Sequence, residues 1–365
     1  MSQLTLFDVL THQVNPKESL TLQNSAGDVD CRLMLGDCLT RMKELPDSSI
    51  DAIITDPPYF KVKKDEWDNQ WGDDTGFLNW LESVAKEWHR VLKSNGSLYC
   101  FCGPRLTSKT ELLLSKYFNV LNVIRWNKPK GYSRAYGSNI EGLRGFFGDH
   151  ESIIFCEHYG ADNAAKGEAG YISECDKLRG FVFEPLRKYF VDEMKRAGLI
   201  REGVRAFFAN RLGTKGKISG HFYDRSQWIL PTEEHYNWLR ELHNQSNKGE
   251  YLRREYEELR REYEELRRPF FATPERPFTA TWTFDTVRPR KGKHPCEKPL
   301  PLIEHILLTS TRPDAVVLDS FAGSFNTGLA CCNLNRNFIG IEMDANYFEI
   351  GKQRMLEAGG KVTEL

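Results

Sequence analysis

The tetrapeptide Asp56-Pro57-Pro58-Tyr59 brings a carboxylate, a bare carbonyl and an aromatic ring together directly after an apolar run, residues 50–55. Proline fixes φ and has no backbone N–H, so the loop is stiff and its carbonyls have no competing donors. The exocyclic amino group of a nucleobase is a weak nucleophile, because the ring delocalises its lone pair. Hydrogen bonds from that group to Asp56 and to the Pro57 carbonyl would localise the lone pair. Tyr59 would then stack on a base that has left the double helix. The alternative is a rigid turn capped by Asp56.

A second loop, residues 319–328, contains glycine at the point where an apolar run gives way to a helical pattern. Glycine at such a point lets the backbone approach a cofactor closely. Glu342 stands nineteen positions beyond Gly323, at the end of the next strand-like run. Dinucleotide-binding folds place the acidic residue that holds the ribose hydroxyls there. Together the loop and Glu342 predict a site for a nucleoside-bearing cofactor.

Seven apolar runs alternate with helical patterns, which predicts a doubly wound α/β fold with parallel strands. Both loops would lie at the carboxyl ends of strands, where open α/β sheets bind their ligands. Residues 1–30 are weakly patterned and are interpreted as an N-terminal tail, and Asp344 is the expected N-cap of the last helix. The predicted strands are residues 31–35, 50–55, 97–102, 120–126, 151–157, 315–319 and 338–342. The predicted helices cover residues 77–93, about 105–117, about 299–311, a stretch ending near 334, and a final helix.

The repeat LRREYEE occurs at residues 252–258 and again at 259–265. It spaces Leu252, Leu259 and Leu266 seven residues apart, which predicts a heptad helix over residues 251–268. Isolated helices this short are marginal, so the preferred interpretation is a charged helix packed by one stripe on its own domain. An intermolecular coiled coil between two copies of the chain is one alternative, and a repeated coding unit that lets the helix vary in length without losing frame is another.

Composition limits the class of protein. The chain of 365 residues has 50 Lys plus Arg and 51 Asp plus Glu, a formal net charge of -1 that at first argues against a nucleic-acid partner. Its nine cysteines show no CxxC pair and no zinc-like spacing, which predicts reduced thiols and no metal site. No window approaches the roughly 20 apolar residues of a membrane span, and the N-terminus has no signal-peptide pattern. We therefore expect a cytoplasmic protein with no membrane partner.

DPPY, the loop FAGSFNTG and the stretch HPCEKP at 294–299 together resemble the amino-group DNA methyltransferases that use S-adenosylmethionine. DPPY comes first and the cofactor loop last, which is the order of the β class. The resemblance implies a Rossmann-like, permuted class I fold with a seven-stranded, mainly parallel sheet. It also implies a catalytic domain formed by residues 31–157 and 286–365, with a target-recognition insertion at 158–285. The implied activity is methyl transfer to adenine N6 by base flipping and direct transfer, with S-adenosylhomocysteine as the product.

The resemblance also assigns roles to individual residues. Asp56, Pro57, Pro58 and Tyr59 would be catalytic, and no cysteine would be needed. The family usually has Gly where Phe325 stands, so we expect Phe325→Gly to leave activity intact or to strengthen cofactor binding. The implied cofactor residues are Asp37 at the adenine, Asp319, Phe321, Gly323 and Thr327 in the loop, Glu342 at the ribose and Lys298 near the methionine moiety.

The insertion carries the positive charge that the whole chain lacks. Residues 177–230 hold twelve Lys and Arg against five acids, a net of +7, with aromatic residues between them. Within this family, such a segment predicts a surface that contacts double-stranded DNA. An ordinary solvated basic surface is the alternative. The candidate DNA contacts are Arg134, Arg187, Lys188, Arg205, Arg211, Lys215, Lys217, Arg290 and Lys291.

Other readings stay open. Asp as the first residue of DPPY favours adenine, whereas Ser is commoner in the cytosine-N4 enzymes, but the chemistry is nearly the same. A non-catalytic DNA-binding or interaction protein that has kept the fold is a further alternative. The sequence does not decide whether the protein forms a homodimer or works with a restriction endonuclease, nor whether a bacterium or a phage encodes it.

Overall fold

A single sheet organises the part of the chain that the computed structural model describes, which is residues 29–61, 68–128, 149–158, 182–225, 228–247, 249–271, 279–287 and 296–365. Its nine strands there are β1 Asp30–Leu35, β2 Ile50–Thr55, β3 Leu92–Cys102, β4 Asn119–Asn127, β5 His150–Glu157, β6 Thr281–Thr283, β7 Val316–Asp319, β8 Asn337–Glu342 and β9 Lys361–Glu364. They lie in the order β6-β4-β5-β3-β2-β7-β8-β1-β9. Strand β5 is antiparallel to both of its neighbours, and every other pairing is parallel.

The predicted number of strands was too low. All seven predicted strands are present, but the sheet has nine, because β6 and β9 extend its two edges. These two strands have three and four residues, and half or more of their side chains are exposed. Segments that short carry no apolar periodicity for a sequence pattern to register. Strand β6 pairs with β4, so residues inside the 158–285 segment join the sheet.

Helices cover both faces of the sheet. Helices α1 Cys38–Met42, α2 Asp74–Val91 and α3 Thr107–Leu114 pack on one face. The C-terminal helices α8 Leu300–Ser310, α9 Asn326–Asn333 and α10 Ala345–Glu357 pack on the other. The predicted N-cap of the last helix is confirmed, since the Asp344 carboxylate accepts hydrogen bonds from the first-turn amides. This arrangement is the doubly wound α/β fold.

The insertion builds a core of its own from four helices. They are α4 Glu184–Arg196, α5 Arg201–Leu212, α6 Glu233–Ser246 and α7 Tyr256–Leu266, with a 3-10 turn at Lys217–Phe222 between α5 and α6. Phe190, Phe208, Trp228 and Tyr236 are fully buried among them. Among the described residues, no helix combines the length and apolarity that crossing a bilayer requires.

The repeat helix is shorter than predicted. It covers only Tyr256–Leu266, because Leu252 takes a positive φ of 52° and the helix begins after it. Leu252 and Leu259 are nevertheless both buried in the core of the insertion. The apolar stripe of the repeat therefore packs against its own chain, as the preferred interpretation expected.

Candidate active site

The two predicted loops meet because the strands that carry them, β2 and β7, are neighbours in the sheet. The Asp319 carboxylate joins them, accepting hydrogen bonds from Thr55 Oγ1 at 3.0 Å and from Thr327 Oγ1 at 2.7 Å. The Phe321 amide adds a third bond, at 3.1 Å. Burial raises the pKa of Asp319 to about 6, while these donors oppose the rise. Asp319 therefore holds the end of β2 and the glycine loop in one arrangement.

A cavity of about 420 Å³ opens between the two loops. Its volume lies in the range typical of small-molecule sites, roughly 300–1,000 Å³. Its walls contain every residue that the sequence predicted for catalysis and for cofactor binding. These are Asp56, Pro57, Pro58 and Tyr59, together with Asp37, Lys298, Asp319, Phe321, Gly323, Thr327 and Glu342.

One end of the cavity offers carboxylates. Glu342 Oε2 accepts a hydrogen bond from the Gly323 amide at 2.7 Å, and Oε1 accepts one from the Asp344 amide at 2.8 Å. Burial raises the pKa of Glu342, and these amides oppose the rise. Asp37 is the N-cap of α1 and accepts from the Thr40 amide at 3.0 Å. Each carboxylate keeps lone pairs for hydroxyl or amino groups of a ligand.

Helix α2 contributes an aromatic ring to the cavity wall and a second, buried ring behind it, neither of which the sequence assigned to the site. Trp80 lines the cavity and meets the Phe321 ring edge-on, with centroids 5.7 Å apart. Trp88 Nε1 donates to Ser320 Oγ at 2.9 Å. The helical periodicity predicts that both tryptophans face the protein interior. The periodicity does not indicate that the apolar face of α2 extends as far as the cavity, where Trp80 lies.

At the other end of the cavity, Asp56 has one oxygen bound and one open. The Lys298 ammonium donates to Asp56 Oδ2. Asp56 Oδ1 is buried and accepts no hydrogen bond of good geometry in the described part of the chain, although the Tyr59 hydroxyl lies near enough to Asp56 to lower its pKa. A buried acceptor without a donor costs roughly 1–3 kcal/mol. This atom is therefore ready to receive a hydrogen-bond donor from a ligand.

Glu151, near the start of β5, joins this group although the sequence did not single it out. Its Oε2 accepts a hydrogen bond from the Tyr59 hydroxyl at 3.0 Å and lies 3.4 Å from Lys298 Nζ. The Lys128 ammonium contacts Oε1. Burial opposes charge on these groups, but Asp56 and Glu151 raise the pKa of Lys298, and the two lysines lower the pKa of Glu151. The negative charges of Asp56 and Glu151 are thus neutralised by the positive charges of Lys128 and Lys298.

Asn326 links the glycine loop to Lys298. Its Nδ2 donates to the Lys298 carbonyl at 2.7 Å and to Glu297 Oε1 at 3.0 Å. Arg354 on α10 donates to Asn326 Oδ1 at 2.5 Å and to the Ser324 carbonyl. The sequence predicted no role for Asn326, which follows the residue where the loop departs from the family pattern.

Phe325 lies outside the cavity. It occupies the N-cap position of α9 with a positive φ of 61°, and its fully buried ring packs near Phe338 and Phe348. The ring fills the space beside Gly351, where an added Cβ would stand 1.9 Å from Phe325 Cδ2. Glycine at position 325 would therefore act first on the packing of the core, and its effect on activity and cofactor binding stays a prediction.

Six of the nine predicted DNA contacts lie among the described residues, and two of these six pair with a carboxylate. Arg187 is bound internally, to Glu184 at 2.6 Å and to the Tyr223 carbonyl, and Arg211 pairs with Glu241 at 2.8 Å. Arg211 is nevertheless exposed, as are Lys188, Arg205, Lys215 and Lys217. Arg205 Nε donates to the Lys215 carbonyl, which keeps two of these positions together. Arg134, Arg290 and Lys291 lie outside the described residues.

The chain is similar to known DNA methyltransferases. A family model described as DNA methylase matches residues 50–353. The DNA adenine methyltransferase YhdJ of Escherichia coli (strain K12) is 26% identical over 324 residues, covering 88% of this chain and 81% of the relative. The type II methyltransferase M2.MboI of Moraxella bovis is 22% identical over 348 residues, covering 90% and 89%.

A solved structure shares the fold. The PvuII DNA methyltransferase, described as cytosine-N4-specific, superimposes with a TM-score of 0.50 at 14% sequence identity. The match covers 92% of this chain and 95% of that one. At this identity the likeness concerns the arrangement of helices and strands alone.

Proposed function

The chain belongs to the DNA methylase family, whose model matches residues 50–353, and from that premise we propose that it methylates the N6 amino group of adenine in DNA. The methyl donor is S-adenosylmethionine. The observation that carries the proposal is Asp56 Oδ1, a buried acceptor that receives no hydrogen bond of good geometry from the described residues, in the wall of the cavity that contains the glycine loop.

The cavity fits such a donor. It is of small-molecule size, and Glu342 and Asp37 offer carboxylate oxygens at one end, as ribose hydroxyls and an adenine amino group require. Phe321, Gly323 and Thr327 would form its wall, and Lys298 would lie near the methionine moiety. When bound, S-adenosylmethionine supplies a methyl group that its sulfonium makes electrophilic.

The residues of the catalytic loop would prepare the nucleophile. The target amino group would donate one hydrogen bond to Asp56 Oδ1 and one to the Pro57 carbonyl, which localises its lone pair on nitrogen. The Lys298 ammonium, bound to Oδ2, favours the ionised and purely accepting form of Asp56. Tyr59 would stack on the flipped base. Positioning of this kind needs no covalent intermediate on the enzyme.

Adenine is the better supported target. The relative YhdJ is named an adenine methyltransferase, and the loop here begins with Asp, the residue that favours adenine. The cytosine-N4 enzyme among the similar structures supports the shared fold and no more. Cytosine-N4 methylation is therefore the second outcome that the test must separate.

The insertion would hold the DNA. We propose residues 158–285 as the target-recognition region and residues 31–157 and 286–365 as the catalytic domain. Lys188, Arg205, Lys215 and Lys217 are the preferred phosphate contacts, since their side chains are exposed. Arg187 and Arg211 are weaker choices because each already has an internal carboxylate partner.

Substitution of Asp56 tests the function. Wild-type protein incubated with DNA and S-adenosylmethionine should produce N6-methyladenine, detected by digestion to nucleosides and mass spectrometry. The Asp56→Ala variant should produce none, while calorimetry shows that it still binds the cofactor. N4-methylcytosine in the wild-type digest would contradict the adenine assignment. Robust turnover by Asp56→Ala would contradict the proposed role of Asp56.

A further inference from the structure

We propose that Glu151 is a positioning residue for methyl transfer, which fixes Tyr59 and the Lys298 ammonium so that Asp56 Oδ1 stays open to the target amino group. This inference rests on the proposed function and deepens it. Glu151 contacts neither the base nor the cofactor in this role. It acts through Tyr59, which would stack on the base, and through Lys298, which binds the accepting carboxylate of Asp56.

Two contacts of one carboxylate oxygen carry the inference. Glu151 Oε2 accepts the Tyr59 hydroxyl at 3.0 Å and lies 3.4 Å from Lys298 Nζ. Lys298 in turn binds Asp56 Oδ2 and lies 5.2 Å from the centroid of the Tyr59 ring. The ring on which the base would stack and the cation beside the accepting carboxylate therefore share one anchor.

The other oxygen of Glu151 is held from outside the loop. Lys128, directly after β4, contacts Oε1, and the Glu151 side chain is only 16% exposed. A carboxylate bound through both oxygens has little freedom to rotate, so it can fix the direction of its partners. Without it, Lys298 could turn to share both oxygens of Asp56, and the open acceptor would be lost.

Strand direction explains how Glu151 reaches the site. The carboxyl ends of the parallel strands form the catalytic edge, and a residue near the start of a parallel strand would lie at the opposite edge. Strand β5 is antiparallel, and its second residue, Glu151, pairs with Trp126 near the end of β4. The reversed strand therefore places its first residues beside DPPY.

The charged and titratable groups around Glu151 predict a pH signature. They are Asp56 and Tyr59 on the catalytic loop, Lys128 after β4, Lys298 before α8, and Cys102 at the end of β3. The negative charge of Glu151 raises the pKa of Asp56. Its removal should lower that pKa, so the acid limb of the turnover profile should move to lower pH. Removal of a carboxylate that lies away from Asp56 should leave the limb in place.

Glu151→Gln tests the inference against a matched control. Glu157 lies on the same strand and on the same face, with a buried carboxylate that pairs with Arg268 at 3.0 Å, but at the far end of β5. Glu151→Gln should lower kcat by about tenfold or more, with KM for the cofactor nearly unchanged. Glu157→Gln should lower the unfolding temperature and leave kcat and its pH profile unchanged.

A fluorescence measurement reads the geometry without turnover. DNA with 2-aminopurine at the target position is mixed with each variant in the absence of cofactor. Glu151→Gln should change the emission of the bound base, because the Tyr59 ring has lost its anchor, and Glu157→Gln should match the wild type. If Glu151→Gln fails to fold, Tyr59→Phe removes the same hydrogen bond from the other side and should change the emission in the same way.

The outcomes separate the two proposals. Wild-type kcat, pH profile and emission in Glu151→Gln would overturn the role of Glu151 and leave the methyltransferase function standing. A wild-type protein that produces no N6-methyladenine would overturn the function instead, while the emission of the bound base still reports on Glu151.

Discussion

At the residue scale, the positive charge of Lys298 lies between two buried carboxylates, those of Asp56 and Glu151. Removal of Lys298 should therefore move the acid limb of the turnover profile in the direction opposite to removal of Glu151. Its ammonium lowers the pKa of Asp56, which burial raises. In Lys298→Met, the pKa of Asp56 should rise, so the acid limb of the turnover profile should move to higher pH. Turnover at neutral pH should fall by about a hundredfold, the loss that a misplacement of about 1 Å in the reacting groups can cause.

The control for Lys298→Met is Lys93→Met, which breaks a partly exposed pair with Asp51, the second residue of β2, at the end of that strand away from DPPY. Exposed pairs of this kind contribute roughly 0–1 kcal/mol, so turnover and its pH profile should match the wild type. A profile recorded from pH 5 to 9 compares the variants. An acid limb that moves in the same direction for Lys298→Met and Glu151→Gln would refute the electrostatic account.

The sequence could predict the residues of the two loops, because their chemistry is readable from residue type and spacing. DPPY and Glu342 each follow an apolar run, and that run was enough to predict their place at the end of a strand. Glu151 and Lys128 were not predictable, because a carboxylate at the start of one strand and a lysine after another meet only when the strands run in opposite directions. Nothing in the local pattern of β5 records its direction.

At the scale of elements, α9 begins at a residue that packs the core. Phe325→Gly should lower the free energy of unfolding by about 2–4 kcal/mol. Loss of a buried phenyl group costs roughly 3–5 kcal/mol, and relief of the positive φ recovers about 1 kcal/mol. Urea unfolding measures the change. Cofactor binding by the folded variant should be unchanged, since Phe325 does not line the cavity.

Phe325→Leu is the matched control for this prediction. It keeps most of the buried volume beside Gly351 and should lower the free energy of unfolding by only about 1–2 kcal/mol. Unfolding of Phe325→Gly at the wild-type urea concentration would show that the ring is not packed as described. Gly351 is the complementary feature, because only a residue without Cβ leaves room for the ring.

The repeat shows where an element departs from its pattern and why. Both copies have the same heptad, yet only the second is fully helical. The Leu252 amide donates to Glu193 Oε2 at 2.6 Å, and its carbonyl accepts from Tyr236 and Arg240. These tertiary hydrogen bonds hold the first copy out of the helix, and a heptad pattern contains no information about them.

Charge is distributed unevenly at the scale of the whole molecule. The net charge is -1, while residues 177–230 alone carry +7. We expect Lys215→Gln with Lys217→Gln to weaken DNA binding. The slope of log affinity against log salt concentration should become shallower by about 2, because each phosphate contact contributes about 1. Fluorescence anisotropy at several salt concentrations measures the slope.

Lys361→Gln is the control for the charge prediction. Lys361 is an exposed lysine on β9, at the edge of the sheet that lies away from β4 and β5. Its removal changes the net charge but should leave the salt slope unchanged. Equal effects of the two substitutions would mean that DNA senses the overall charge and not the surface of the insertion.

The reversed direction of β5 has a consequence for how such a chain can diverge. The chain leaves β4 at Asn127 and returns to the sheet at His150, and both positions lie at the catalytic edge beside DPPY. Connections at sheet edges tolerate changes in length far better than the strands they join. Residues added or lost between these two anchored ends would therefore leave the register of β4 against β5 unchanged. The length of this connection can thus vary in evolution independently of the sheet that carries the catalytic loop.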